Sequence, residues 1–244
     1  MTPTFIHLKE TDSTNTWLQN YARREAPEEG LLVYTDFQTA GRGQMGNHWE
    51  SEPDSNLLFS LLLRPRQLPA NAQFVLSQAV ALGVCDFFSG FGEGFSIKWP
   101  NDIYWHDRKI GGILIENDLE GSLVGRSYIG IGLNINQQRF YSDAPNPVSL
   151  TQITGRQHDL DDCLRRVWSA IADRYAQLTE AERLRADYLA RLYQYGTDAL
   201  YFDAQGVFEG RIETVEPSGH LVVRKKSGVR ARYFFKEIGF IHRT

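Results

Sequence analysis

The chain has 244 residues, 42% of them hydrophobic, and a formal net charge of −4. That length and apolar content support one large domain, or one domain with a small appendage, and argue against disorder. The slight acidic balance excludes a generic polyanion binder, and no apolar run approaches the roughly 18 to 20 residues of a membrane span.

The start, MTPTFIHLKETDSTN, lacks the basic segment and long apolar run of a secretory signal. Cys85 and Cys163 each lie alone in an apolar, helix-like stretch and read as buried thiols of a reducing cytosol. Histidines 7, 48, 106, 158, 220 and 242 form no H-x-x-x-H or H-x-H pair, which argues against a structural metal site.

In chain order, residues 13–24 predict a helix with Asp12 or Ser13 as its cap and Trp17, Leu18 and Tyr21 on one face. Residues 31–37 predict a strand, and a glycine-rich loop follows. Residues 56–65 are a strongly apolar strand stopped by Pro65, and residues 69–88 a long helix with Pro69 near its first turn. Next come short strands at 95–100 and 103–105. Residues 111–118 and 122–136 then read as a hairpin turning at 119–121. Residues 137–147 hold two prolines and read as a loop. Amphipathic helices are expected over 159–178 and 179–196, the second stopping at Gly196.

From Gly196 onward the character changes. Three strand-like segments (206–216, 220–226 and 230–241) are separated by P-S-G and K-S-G turns. This tail carries eight Lys/Arg against six Asp/Glu, about +2 by difference, so the first 195 residues carry about −6. A boundary near residue 195 divides an α/β body (1–195) from a small β-barrel (196–244).

Residues 38–51, QTAGRGQMGNHWES, pose a question of function. Gly41, Gly43 and Gly46 match G-x-G-x-x-G, but a dinucleotide fingerprint also needs a helix opening on the glycines. Here NHWESEPDSN and a second strand follow instead. No G-K-[ST] closes the loop as in a Walker A motif, and no downstream H-R-D supports a kinase loop. What remains is a strand–loop–strand segment with Arg42 between two glycines. It is either a cradle of backbone N–H groups and a guanidinium for a phosphate, or a mobile hairpin loop. Glycines and polar residues dominate positions 41–47, so the loop is expected to lack order without ligand. A second cluster, KWPNDIYWHDRKIGGILIE (98–116), sets Lys98, Asn101, Asp102 and Lys109 around strand ends beside Gly111 and Gly112. Asp102 offers a carboxylate to Mg²⁺.

Taken in order, ETDSTN, QTAGRGQMGNHWES, KWPNDIYWHDRKIGGILIE and GIGLNIN closely resemble the biotin–protein ligases, also called holocarboxylase synthetases. The four blocks span residues 10–136, and the strand-rich tail resembles that family's C-terminal SH3-like barrel. The resemblance implies an α+β fold, with a class II aminoacyl-tRNA-synthetase-like mixed sheet packed by helices and a small SH3-like barrel. It also implies activation of biotin by ATP as biotinyl-5′-AMP, transfer to a lysine of a biotin carboxyl-carrier domain, and Mg²⁺ as cofactor.

By the same resemblance Ser13, Thr14, Asn15, Gln38 and Gly112 contact biotin, while Ser13 to Asn15 also open the first helix. Arg42, Gly43 and Gln44 close over the biotin carboxylate and the adenylate phosphate. Lys109 bridges carboxylate and α-phosphate, with Lys109 and Arg42 as the catalytic cations. Lys98, Asn101 and Asp102 serve ATP and its metal ion, and Gly132 and Asn134 line the adenylate side. Trp49 either anchors the loop's far end in apolar packing, the favoured reading, or stacks on the nucleotide.

Many family loops carry three arginines, and here Gln44 and Asn47 stand where the second and third would be. Hydrogen bonding is kept and charge lost, which bears on retention of the adenylate. Only twelve residues precede Ser13, against about 60 for a DNA-binding winged helix-turn-helix, so a monofunctional ligase without DNA binding is expected. The R-R-x-S-G-G-G loop of the similar lipoate–protein ligases is absent. A carrier-binding adaptor that has lost catalysis should lack Arg42 or Lys109, and both are present. No membrane partner is expected, the location is expected to be cytoplasmic, and the strands near 111–136 could extend a sheet across a homodimer.

Overall fold

A computed structural model describes residues 3–141 and 146–241. Part of the expected 137–147 loop, His242 and the last residues of the tail lie outside the described residues. The first element is β1 (Thr4–Thr11), followed by α1 (Thr14–Glu25), β2 (Leu31–Gln38) and β3 (Leu57–Leu63). Then come α2 (Phe74–Ser89), β4 (Phe95–Lys98), β5 (Asp102–Trp105), β6 (Arg108–Glu120) and β7 (Leu123–Leu133). Three helices complete the body: α3 (Leu150–Thr154), α4 (Leu160–Tyr175) and α5 (Ala181–Ala190).

The body sheet runs β1-β2-β3-β7-β6-β5-β4. β1 and β2 are parallel and every other pair is antiparallel, so the sheet is mixed, as expected. β3 explains why its segment LLFSLLL does not alternate. Leu57, Phe59, Leu61 and Leu63 face the main core with α2 and α4, while Leu62 faces a second cluster with Leu18 and Ala22 of α1. Helices cover both faces, so both side-chain rows are apolar. Each such leucine contributes about 1.5–3 kcal/mol by leaving water.

The stretch Ala70–Ser89 is long and apolar enough, by length and composition, to cross a membrane, which run length alone did not suggest. Within the fold 67% of its window is buried, against α4 and α5 among others. Gly83 brings α2 and α4 together: a Cβ there would stand 2.6 Å from Ile171 Cα.

α5 ends at Ala190, well before Gly196. The expected helix is cut short because residues 192–195 are drawn into bridges, Leu192 with Ile97 and Tyr195 with Ile212. Gly196 still adopts a left-handed conformation, φ 67°. β1 and α3 have no counterpart among the expected elements.

In the tail, β8 (Asp198–Asp203), β9 (Gly206–Val215), β10 (Leu221–Lys225), β11 (Arg230–Tyr233) and β12 (Gly239–Phe240) form an antiparallel sheet in the order β11-β10-β9-β8-β12. The expected third segment is two strands, and β8 adds one more. The tail sheet packs on the body, where Trp99 Nε1 donates to Gly219 O at 2.9 Å and the Trp99 and Phe235 rings meet at 5.4 Å. Within the body sheet, β6 pairs with β5 through Gly112 and thereafter with β7 alone. Residues 114–120 therefore leave one strand edge unpaired among the described strands, the kind of edge the dimer expectation requires.

Candidate active site

One cleft of about 270 Å³ gathers the polar residues of the separate sequence blocks. The start of α1 supplies Ser13, Thr14 and Asn15. The end of β2 and its loop supply Gln38, Arg42, Gly43, Gln44 and Trp49, and the β4–β6 region supplies Lys98, Asn101, Asp102, Lys109 and Gly112. Gly132 of β7 completes the floor. Asn134 stands apart: it does not line the cleft, is buried, and donates through Nδ2 to Val148 O at 3.2 Å. Its backbone has left β7 and ties the floor strand to the segment entering α3.

Helix capping is not what Ser13 does, although it occupies the N-cap position with extended backbone and no side-chain cap bond. Asp12 Oδ1 takes the Ser13 N–H at 2.6 Å, and Gln38 Oε1 takes the Thr14 N–H at 2.8 Å. Thr14 Oγ1 also donates to Gln38 Oε1 at 3.1 Å and accepts from buried Ser60 Oγ at 2.8 Å. Because Thr14 engages Oε1 twice, Gln38 has its Nε2 donor to offer a ligand. Asn15 donates through Nδ2 to Glu116 Oε2 at 2.9 Å, while its Oδ1 is buried with no hydrogen-bond partner among the described residues. Gly130 makes room for that amide, since a Cβ there would lie 3.0 Å from Asn15 Oδ1. A buried orphan acceptor at a cleft wall is costly unless a ligand N–H meets it.

The glycine loop closes on itself. Gly43 N donates to Asn47 O at 2.6 Å, Trp49 N to Gly41 O at 2.9 Å, and Arg42 bridges to His48. Trp49 lies in the cleft over two glycines: a Cβ at Gly112 would meet its ring at 3.0 Å, and one at Gly132 would run into it. Trp49 Nε1 is buried without a hydrogen-bond partner among the described residues.

Of the cations lining the cleft, three come from the body and the fourth, Lys236, from the tail. Lys109 Nζ pairs with Asp102 Oδ1 at 2.7 Å, and Arg42 Nη2 with Glu116 Oε1 at 2.7 Å. Lys98 Nζ donates to Tyr104 Oη at 2.9 Å and lies 5.3 Å from the centre of the Phe240 ring. Burial pulls the Lys98 ammonium below its ordinary range and nearby Lys109 adds to this, with Asp102 opposing. Asn101 donates through Nδ2 to Ile113 O at 2.7 Å, which fixes the turn that presents Asp102. The tail supplies Lys236, Ile238, Gly239 and Phe240 to the same cleft.

A family model described as the biotin/lipoate A/B protein ligase family matches residues 8–134, more than half of the chain. The chain belongs to that family. The bifunctional ligase/repressor BirA of Bacillus spizizenii is 32% identical over 239 residues, covering 93% of this chain and 71% of that protein. The biotin–[acetyl-CoA-carboxylase] ligase of Paracoccus denitrificans is 32% identical over 91% of this chain and 94% of its own length. Among solved structures, the biotin protein ligase from Aquifex aeolicus in complex with biotin and ATP superposes with a TM-score of 0.80 at 25% identity, covering 99% of this chain and 100% of that one. The body sheet with its helices and the antiparallel tail thus form the α+β fold of the biotin/lipoate ligase family.

One group, Glu116, has no place in the sequence reading. Glu116 sits in the alternating stretch ILIENDLE, where a lone acid reads as solvent-facing, yet β6 turns it toward α1, where Asn15, Gln19 and Arg42 all donate to it. The signal was its place in the block KIGGILIE, two strand positions from Leu114. The tail residues at the cleft carry no motif, and only the fold brings them there.

Proposed function

We propose that the protein is an ATP-dependent biotin–protein ligase. The observation that carries this reading is the meeting, in one cleft, of an ureido-sized set of donors and acceptors with three cations. Ser13, Thr14, Asn15 and Gln38 form the first set, and an ureido group presents the N–H donors that the orphan Asn15 Oδ1 lacks and the carbonyl that Gln38 Nε2 can meet. Lys98, Lys109 and Arg42 form the second and oppose the negative charge of a carboxylate meeting a triphosphate.

In the first step a biotin carboxylate oxygen attacks the α-phosphorus of ATP, and the bond to the bridging oxygen of pyrophosphate breaks. Lys109 sits between the two anions and offsets charge as they approach; Arg42 and Gly43 of the loop close over the carboxylate and phosphate. In the second step the neutral amine of an acceptor lysine attacks the carbonyl carbon of the mixed anhydride. The carbon–oxygen bond to AMP breaks, the nitrogen loses its proton, and biotin is held in an amide. No side chain of this protein forms a covalent bond in either step.

Trp49 and Gly132 border the adenylate, and Asn134 supports that wall from behind. The Asp102 carboxylate, paired with Lys109 at 2.7 Å, is the group that would hold a nucleotide-borne Mg²⁺ together with substrate phosphates. Bound there, the ion would neutralise phosphate charge. The acceptor is the carboxyl-carrier domain of a biotin-dependent carboxylase, the homodimer would use the free edge of β6, and the tail strands β8 to β12 would be the SH3-like unit beside the body.

The test is pyrophosphate release with ATP and Mg²⁺, comparing biotin with lipoate, beside Lys109→Ala. Biotin-dependent release that collapses in the variant is expected. Release with lipoate but not biotin would overturn the reading of the pocket, and release with neither would overturn the ligase assignment for this chain.

A further inference from the structure

A second cavity, of about 610 Å³, lies where the loop after β3, the α4–α5 junction and the tail turn at Pro217 meet. It shares no lining residue with the candidate active site. Its volume is that of a small-molecule site, and sites of this kind favour the junctions between structural units. The loop segment RPRQLP brings Arg64 and Arg66 to its wall, and α5 adds Arg185. None of these three arginines pairs with a carboxylate among the described residues. Arg64 Nη2 donates to Pro27 O at 2.8 Å and Arg185 Nη2 to Thr214 Oγ1 at 2.9 Å, while the Arg66 side chain has no hydrogen-bond partner.

Gln78 of α2 also lines this space. It is 4% exposed, yet its amide makes no hydrogen bond to any described residue. A buried amide of that kind is costly unless a polar group of a ligand meets it. Between these polar groups the wall is apolar, built from Pro65, Leu68, Val75, Leu178 and Pro217. Two carboxylates lie here as well. Glu29 Oε1 is taken up by the Arg64 N–H and by Tyr175 Oη, both at 2.7 Å, and Glu182 stands in the first turn of α5. Three guanidiniums against two carboxylates leave one positive charge, which suits a monoanion better than a phosphate dianion. The planar guanidinium fork matches a carboxylate in particular.

We propose that this cavity is a binding site for a small amphipathic monocarboxylate. The carboxylate meets the guanidiniums, the buried Gln78 amide adds a hydrogen bond, and the apolar body lies along Leu68, Val75 and Leu178. Because Pro217 and the Arg185 contact to Thr214 belong to the tail, a molecule held there ties the tail to the body. The site is independent of the biotin reading, since none of its residues borders the cleft.

Calorimetry on the full chain tests this with decanoate, decanol and acetate as probes. Decanoate should bind saturably. Decanol should bind about fivefold more weakly for want of the charge, and acetate at least about tenfold more weakly for want of the apolar body. Arg66→Ala and Arg185→Ala should each weaken decanoate about two- to fivefold. Arg24→Ala, at an exposed position of α1 outside the cavity, should leave it unchanged. Ala181→Trp fills the cavity from the exposed first position of α5 and should weaken decanoate about tenfold or more, with thermal unfolding showing that the variant is folded. Absence of saturable binding, decanol binding as tight as decanoate, or an equal loss in Arg24→Ala overturns the proposal. Decanoate binding that survives all three cavity variants but is displaced by biotin would place the carboxylate in the main cleft, and overturns it too.

Discussion

Lys109 Nζ lies 2.7 Å from Asp102 Oδ1, and it does so because the β5–β6 ladder slips by one residue. Asp102 opposes Gly112 and Ile103 opposes Gly111, but Tyr104 then opposes Lys109, so Ile110 is the extra residue of a bulge. In an unbroken ladder Tyr104 would face Ile110, and Lys109 would sit opposite Trp105 on the other side of the sheet. The bulge re-aims one lysine into the cleft. The carboxylate beside that lysine neutralises it, so an incoming anion competes with Asp102 for it.

Lys109→Ala should therefore lower the rate of biotin-dependent pyrophosphate release by about 10²–10³-fold, the usual cost of removing one preorganised group that offsets transition-state charge. Lys109 and Asp102 are both only about a quarter exposed, so the variant also leaves a carboxylate without its partner, and thermal unfolding should accompany the assay to separate lost stability from lost catalysis. Single-turnover release with saturating biotin and ATP is the measurement. A fall in affinity with an unchanged limiting rate would instead make Lys109 a binding group.

Trp49 and Gly132 suggest a second experiment. A Cβ at Gly132 would occupy space held by the indole, so Gly132→Ala should force Trp49 out of the cleft. Overpacking of this kind costs about 1–3 kcal/mol, so ATP affinity should drop by roughly tenfold. Ligand-free tryptophan emission should shift to the red, and the shift should vanish when Trp49 is also replaced by Phe. Unaltered emission would show that the ring yields without leaving.

Much of this site was legible before the fold was known. Hydrophobic period and turn residues located β2, β3, α2, α4 and the β6–β7 hairpin, and the block KWPND…RKIGG marked the cleft. The losses have physical causes. β1 (TFIHLKET) is a half-exposed edge strand whose apolar residues are thin, so its pattern is weak. α5 was overextended because RLYQYG continues a helical stripe, while tertiary pairing with Ile97 and Ile212 claims those residues. The bulge at Ile110 has no local signal, and it decides on which face Lys109 lies. Asn134 was drawn toward the ligand by the motif GIGLNIN, but alternation ends with the strand at Leu133. A single carboxylate in a strand is ordinarily solvated, so Glu116 gives no signal of its own.

Helix packing gives a stability prediction independent of the cleft. A Cβ at Gly83 would lie 2.6 Å from Ile171 Cα and 2.9 Å from Ala170 O, and backbone atoms cannot rotate away. Alanine gains about 1 kcal/mol of helix propensity over glycine, but separating α2 from α4 should cost more, about 1–3 kcal/mol. Gly83→Ala should thus be neutral to moderately destabilising and Gly83→Val clearly worse, with Tm falling by about 2–4 °C per kcal/mol. Thermal unfolding of both variants checks the order. A Gly83→Val protein as stable as the parent would mean that the helices separate freely.

Lys98 makes the site sensitive to alkaline pH. Burial, then Lys109, pull its ammonium below the ordinary value of 10.5. The folded protein therefore gives up this proton at a lower pH than the unfolded chain does. The cost of burying the charge is full below the folded value and is relieved as pH rises through it toward 10.5, so this group's contribution to stability improves with pH in that window. Nucleotide affinity moves the opposite way, because the neutral amine no longer attracts phosphate. Lys98→Arg, which stays charged, should keep ATP affinity flat across the window in which the parent loses it. Parallel profiles of ATP binding against pH would exclude Lys98 as the titrating cation.

Gln44 borders both the main cleft and a smaller neighbouring space with Phe74, Asn117 and Phe235. Glutamine there offers hydrogen bonds but no charge, and the loop's remaining guanidinium, Arg42, has a competing carboxylate in Glu116. Gln44→Arg adds a cation at the border of the cleft. It should therefore slow escape of biotinyl-AMP, by about two- to fivefold if the new contact is as exposed as the Arg42 pair. Stopped-flow chase of the preformed adenylate with excess biotin and ATP measures that rate directly. An unchanged rate would mean that retention depends on loop closure as a whole, and that the charge lost at this position does not govern it.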